Sequence, residues 1–102
     1  MQEQTTLAAA VSYTGIGLHS GRDVHMRLVP APAGTGIVFV RTDVAGRPTI
    51  RATADHVTST LRATTLEEHG VRVFTVEHLM SALHARRIDN CYVELDSEEP
   101  PV

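Results

Sequence analysis

Glu77 and His78 stand side by side in Thr75-Val76-Glu77-His78-Leu79, and their side chains offer complementary chemistry. A neutral imidazole can ligate zinc, and a carboxylate beside it can take a proton from a water that the metal activates. Spacing decides how much of such a site one segment supplies. The His-Glu-x-x-His pattern of metalloproteases puts two histidines on one helix face. Here the next histidine, His84, follows six residues later, about 120° around a helix, so the segment offers a single imidazole ligand. His19, His25, His56 and His69 are scattered without ligand spacing, whereas a catalytic zinc usually takes three protein ligands. On spacing alone, an adjacent Glu and His is more often a surface carboxylate beside a hydrogen-bonded histidine.

The element that must position the pair reads as a helix from Thr75, its expected N-cap, to about Arg87. At about 100° per residue, Val76, Leu79, Met80 and Leu83 fall on one stripe, which is expected to cover a sheet. His78 lies on nearly the opposite face with Ser81, Ala82 and Ala85, small residues that let another backbone approach closely. Glu77 projects from the first turn, where the helix dipole favours its ionised form.

The rest of the chain alternates strands and turns. Thr6 to Tyr13 reads as a first strand, and Gly15-Ile16-Gly17-Leu18-His19-Ser20-Gly21, with three glycines in seven positions, as a tight loop. Val24, Met26 and Leu28 alternate with His25, Arg27 and Val29 as a strand with one buried face, ended by Pro30-Ala31-Pro32-Ala33-Gly34. Gly36 to Val40 is a second apolar run, followed by a turn over Asp43 to Pro48 and a short strand near Thr49 to Thr53. Asp55 is expected to cap a short helix through about Thr60, with Val57 and Leu61 facing inward. Ala63 to Glu67 and Val71 to Phe74 flank Glu68-His69-Gly70 as a hairpin, and Asn90 to Asp96 is the last strand. The expected fold class is α+β: one domain over residues 1–102, a two-layer sandwich of a mainly antiparallel or mixed β-sheet with two helices on one face.

Composition excludes several classes of function. A net charge of −3, no Trp, and only two Phe and two Tyr leave little for phosphate attraction or base stacking, so no nucleic-acid partner is expected. All nine basic residues are arginine. The lone Cys91 excludes an intrachain disulfide and, within an alternating strand, reads as a small buried apolar residue. The start shows no signal-peptide pattern, and no apolar stretch reaches membrane-spanning length. A cytoplasmic protein without a transmembrane segment is expected.

Several segments, taken in order, resemble one enzyme family, the zinc-dependent UDP-3-O-acyl-N-acetylglucosamine deacetylases of lipid A and lipopolysaccharide biosynthesis in Gram-negative bacteria. Gly15 to Gly21 is similar to the family's glycine-histidine motif, and Pro30 to Ile37, followed by Arg41-Thr42-Asp43, to its next segment. Thr75 to Leu83 is similar to its zinc-ligand helix, and Ile88-Asp89-Asn90 with Val93-Glu94-Leu95 to the strand after it. The resemblance implies Zn2+ as cofactor, His78 as a zinc ligand, and Glu77 as the catalytic base in hydrolysis of the substrate's acetamide. It also implies substrate contacts at His19 and Leu61, although His19 fits a turn-stabilising role equally well. Arg62, Ala63 and Thr64 match the family less well. Family enzymes have two similar domains, with the remaining ligands and the catalytic acid in the second. The chain is therefore expected to be the N-terminal domain, lacking its C-terminal catalytic partner and inactive by itself. Two other readings compete: a non-catalytic binding or scaffold module that keeps the deacetylase domain fold, and a metal-storage or metal-sensing domain. The second is weakened by the absence of clustered histidines.

Overall fold

Period-two alternation builds most of this chain. In the computed structural model, which describes residues 3–59 and 64–101, five strands form one sheet in the order β1-β2-β8-β3-β4. They are β1 (Val11–Ile16), β2 (Asp23–Pro30), β3 (Ile37–Arg41), β4 (Thr49–Arg51) and β8 (Cys91–Leu95). Every pairing in this sheet is antiparallel except β3 with β8. A second, three-stranded sheet holds β5 (Val57–Ser59), β6 (Thr65–Glu68) and β7 (Val71–Phe74) in sequence order. The described residues contain one α-helix, α1 (Glu77–Ala85). The α+β character stands, with one helix and two sheets where two helices and a single sheet were expected.

Register shows why the large sheet has one dry face. Leu28 lies opposite Val93, Val93 beside Phe39, and Phe39 opposite Ile50, so one row of buried side chains crosses four strands. Residues directly paired across strands share a face, and a one-residue slip would turn this row to solvent. Leu66 and Val73 of the small sheet and Val76 and Leu83 of the helical segment join the same hydrophobic cluster. Arg41, itself buried, links the two sheets: its guanidinium pairs with Asp43 and donates to the Arg72 carbonyl at 2.7 Å. The β6–β7 turn, His69-Gly70, has φ of 56° and 74°, the left-handed pair that a two-residue hairpin requires.

The helix behaves as its periodicity demands. Val76 and Leu83 are buried, Leu79 and Met80 pack partly buried against the core, and His78, Ser81, Ala82 and Ala85 are exposed. Its end is a Schellman arrangement. Arg87 turns left-handed at φ 56°, its N–H donates to the His84 carbonyl, and Ile88 N–H reaches back to the Leu83 carbonyl at 2.9 Å.

Three expectations about local structure are corrected. The first strand begins at Val11, not Thr6, because the small side chains of Ala8, Ala9 and Ala10 offer a sheet nothing to pack; it also absorbs Gly15 and Ile16 from the expected loop. The second helix is a single 3-10 turn, Ala54–His56, with Asp55 inside it instead of at its cap. Beyond it β-branched Val57 and Thr58 extend, the conformation such side chains favour, and Val57 and Ser59 pair with β6 across an irregular register. Finally, Thr75 does not cap α1. It sits at φ 58°, Val76 is the flanking residue, and among the described residues no side chain makes a cap hydrogen bond there. No described helix is long and apolar enough to cross a membrane.

Candidate active site

Glu77 is the first residue of α1, and its Oε2 accepts the Thr64 backbone N–H at 2.9 Å. Burial pushes this carboxyl up, but the Thr64 N–H, Glu77's own N–H, the Thr64 hydroxyl and nearby His78 together hold it below its ordinary value. Glu77 is thus a carboxylate at neutral pH, the protonation state a proton acceptor needs. The Thr64 contact was not foreseen, because Thr64 lies 13 residues before Glu77 and no periodicity links the two.

His78 is exposed and lines a cleft of about 260 Å³ with Leu18, Met26, Thr75, Leu79 and two prolines, Pro100 and Pro101. An open imidazole beside an anchored carboxylate fits one ligand and one base of a zinc site. Among the described residues, no group of three or more His, Cys, Asp or Glu side chains could hold a metal ion. The donor set on this chain therefore fits part of such a site, one ligand of the usual three.

His19 is half exposed and belongs to a different constellation, centred on Glu99. The Glu99 side chain is fully buried, and its carboxylate accepts the backbone N–H of His19 at 3.0 and 3.1 Å and that of Ser20 at 3.1 Å. His19 Nδ1 lies 2.9 Å from Glu99 Oε2 and 3.0 Å from Thr75 Oγ1. Burial pushes the Glu99 carboxyl up, yet the Ser20 N–H, the His19 ring, the Thr75 hydroxyl and the His19 N–H outweigh it and leave it below its ordinary value. Gly17 makes the space, because a Cβ there would run into the Ser20 hydroxyl and the Glu99 carboxylate. Two backbone links bring the end of the chain here: Gly17 bridges to Pro101, and Phe74 N–H donates to the Glu98 carbonyl at 2.8 Å.

The structure thus brings Glu77 and His78 together at the start of α1 and sets His19 against Thr75, three residues before His78. Leu61, the other expected substrate contact, lies outside the described residues. Glu99 and Thr75 escaped sequence reasoning. Ser97-Glu98-Glu99-Pro100-Pro101 reads only as a polar strand breaker, and the partners of Glu99 lie 79 and 80 residues away along the chain.

Comparison with known proteins gives this geometry a context. The family model described as LpxC, UDP-3-O-acyl N-acetylglycosamine deacetylase, matches residues 4–102. The UDP-3-O-acyl-N-acetylglucosamine deacetylase of Marinobacter nauticus is 51% identical over 102 residues, covering all of this chain and 34% of that protein. The enzyme of the same name from Myxococcus xanthus is 56% identical over 99 residues, covering 97% of this chain and 32% of that protein. A bifunctional enzyme LpxC/FabZ from Chlorobaculum tepidum is 48% identical over 99 residues, 97% of this chain and 21% of that protein. The chain spans about a third of the length of the two deacetylases.

Proposed function

Because the chain belongs to the UDP-3-O-acyl N-acetylglycosamine deacetylase family, we propose that it serves hydrolysis of the acetamide of UDP-3-O-acyl-N-acetylglucosamine, a step of lipid A biosynthesis. In this reading it is the N-terminal domain of a two-domain enzyme and supplies one zinc ligand, His78, and the general base, Glu77. The observation that carries the reading is the pair itself: a carboxylate anchored by the Thr64 N–H, next to an imidazole open to a cleft. When bound, zinc would polarise the acetamide carbonyl and acidify a water. Glu77 would take the proton of the attacking water, whose oxygen would end on acetate as the C–N bond breaks and the sugar amine takes up a proton. The remaining ligands and the catalytic acid come from the two thirds of the relatives' length that this chain does not span. His19 and Leu61 contact the substrate.

Calorimetric titration with zinc at neutral pH tests the division of labour. Alone, the chain is expected to bind weakly, since one imidazole does not make a tight site. Joined to the remaining length of the Marinobacter nauticus relative, it should bind one zinc with submicromolar affinity. A stoichiometric submicromolar site in the chain alone, abolished by His78→Ala, would favour a self-contained metal-binding domain. Full-affinity binding in the joined protein that ignores His78→Ala would favour a non-catalytic module.

A further inference from the structure

Glu99 is an ionised carboxylate shut away from solvent, and the proposed hydrolysis has no task for it. Its surroundings are built to hold it there. Two consecutive backbone N–H groups, of His19 and Ser20, point at it, and Gly17 gives up a side chain to admit it. Such a site fixes the proton on the imidazole beside it, the ring of His19. If His19 Nδ1 were unprotonated, its lone pair would face a carboxylate oxygen at 2.9 Å, anion against acceptor. The neutral ring must therefore carry its proton on Nδ1 and donate it to Glu99. Nε2 is then the unprotonated nitrogen of a ring that is 50% exposed. The Thr75 hydroxyl oxygen, 3.0 Å from the same Nδ1, is a second acceptor for that proton. That bond grips a β-branched residue in the left-handed region, at φ 58°, where such residues stay only when their surroundings over-determine them.

We propose that Glu99 is a positioning residue, which locks His19 with its proton on Nδ1 so that Nε2 meets a hydroxyl or N–H donor of the substrate, and which pins Thr75 at the entry to the segment carrying Glu77 and His78. The arrangement matches the carboxylate partners that orient functional histidines elsewhere, where the bond at one ring nitrogen decides the chemistry of the other. The tautomer follows from this chain's geometry alone, whereas the substrate contact rests on the deacetylase reading.

Long-range proton–nitrogen correlation spectra of the 15N-labelled chain, at a pH where His19 is neutral, read the tautomer directly. The expected result is a protonated Nδ1 and a bare Nε2 at His19, lost in Glu99→Gln, whose single amide oxygen cannot accept from both backbone N–H groups and the ring N–H. A wild-type His19 protonated on Nε2 overturns the proposal without any variant, and so does a tautomer unchanged in a folded Glu99→Gln chain. In the protein joined to the remainder of a relative, Glu99→Gln should lower kcat/KM roughly 10–100-fold, the scale for removing an orienting partner of a functional histidine. The same substitution in a His19→Ala background should cost little more, because the two act as one unit. A full additional loss in that background would make Glu99 merely structural and contradict the proposal. A joined protein inactive with all its residues intact would instead sink the deacetylase reading and leave the tautomer result standing.

Discussion

In a protein completed with the remaining length of a relative, Glu77→Gln is expected to lower turnover roughly 10²–10⁴-fold, the usual scale for losing a general base, while leaving bound zinc unchanged. The substitution separates two roles that neighbour each other in the chain. Glutamine has nearly the same shape, and its carbonyl oxygen can still accept the Thr64 N–H that the carboxylate accepts at 2.9 Å. The start of α1 should therefore keep its place while the capacity to take a proton disappears. His78→Ala should behave differently and lower zinc content and turnover together, because its exposed imidazole is the proposed ligand. Metal analysis beside steady-state rates distinguishes the two. Should Glu77→Gln empty the site of zinc, Glu77 is a ligand or a support for one, and its assignment as base is wrong.

The second large effect concerns the helix that presents the pair. Leu83→Asp is expected to unfold the chain, whereas Ala82→Asp, one residue earlier, should leave it folded. Leu83 is 3% exposed and shares one cluster with Val73, Val93 and Leu95. An unpaired charge there costs several kcal/mol, against a total stability of roughly 5–15 kcal/mol for a domain of this kind. Ala82 is exposed on the other side of α1, where a carboxylate stays in water. Circular dichroism and thermal melting of both variants decide it. A Leu83→Asp chain melting within a few degrees of the wild type would show that the helix does not hold the core.

The helix was legible because its signal is local: four apolar residues at helical spacing fix which face is buried, and the observed burial follows that face. The alternation of β2 and the His69-Gly70 turn were legible for the same reason. Both fall within the few residues that set a strand's period or a hairpin's turn. The second helix failed because its reading leaned on a capping residue, Asp55, while Val57 and Ser59 pair with Leu66 and Thr65 of β6. Tertiary pairing overrode a weak local preference there. Thr75 failed similarly. As a threonine before a helical run it reads as an N-cap, but its hydroxyl is engaged with His19, 56 residues away. Glu77 and His78 could be picked out as types and neighbours, yet the Thr64 N–H on Glu77, 13 residues away, and the Glu99 carboxylate against His19, 80 residues away, depend on contacts between segments apart in the chain. No periodicity carries that information.

The central claim is that His78 binds the zinc on which Glu77 acts, and anomalous diffraction at the zinc edge tests it most directly. In crystals of the completed protein, one zinc per chain is expected with a His78 ring nitrogen about 2.0–2.1 Å away, and the Glu77 carboxylate outside the coordination shell. A fully occupied zinc that His78 does not touch would contradict it.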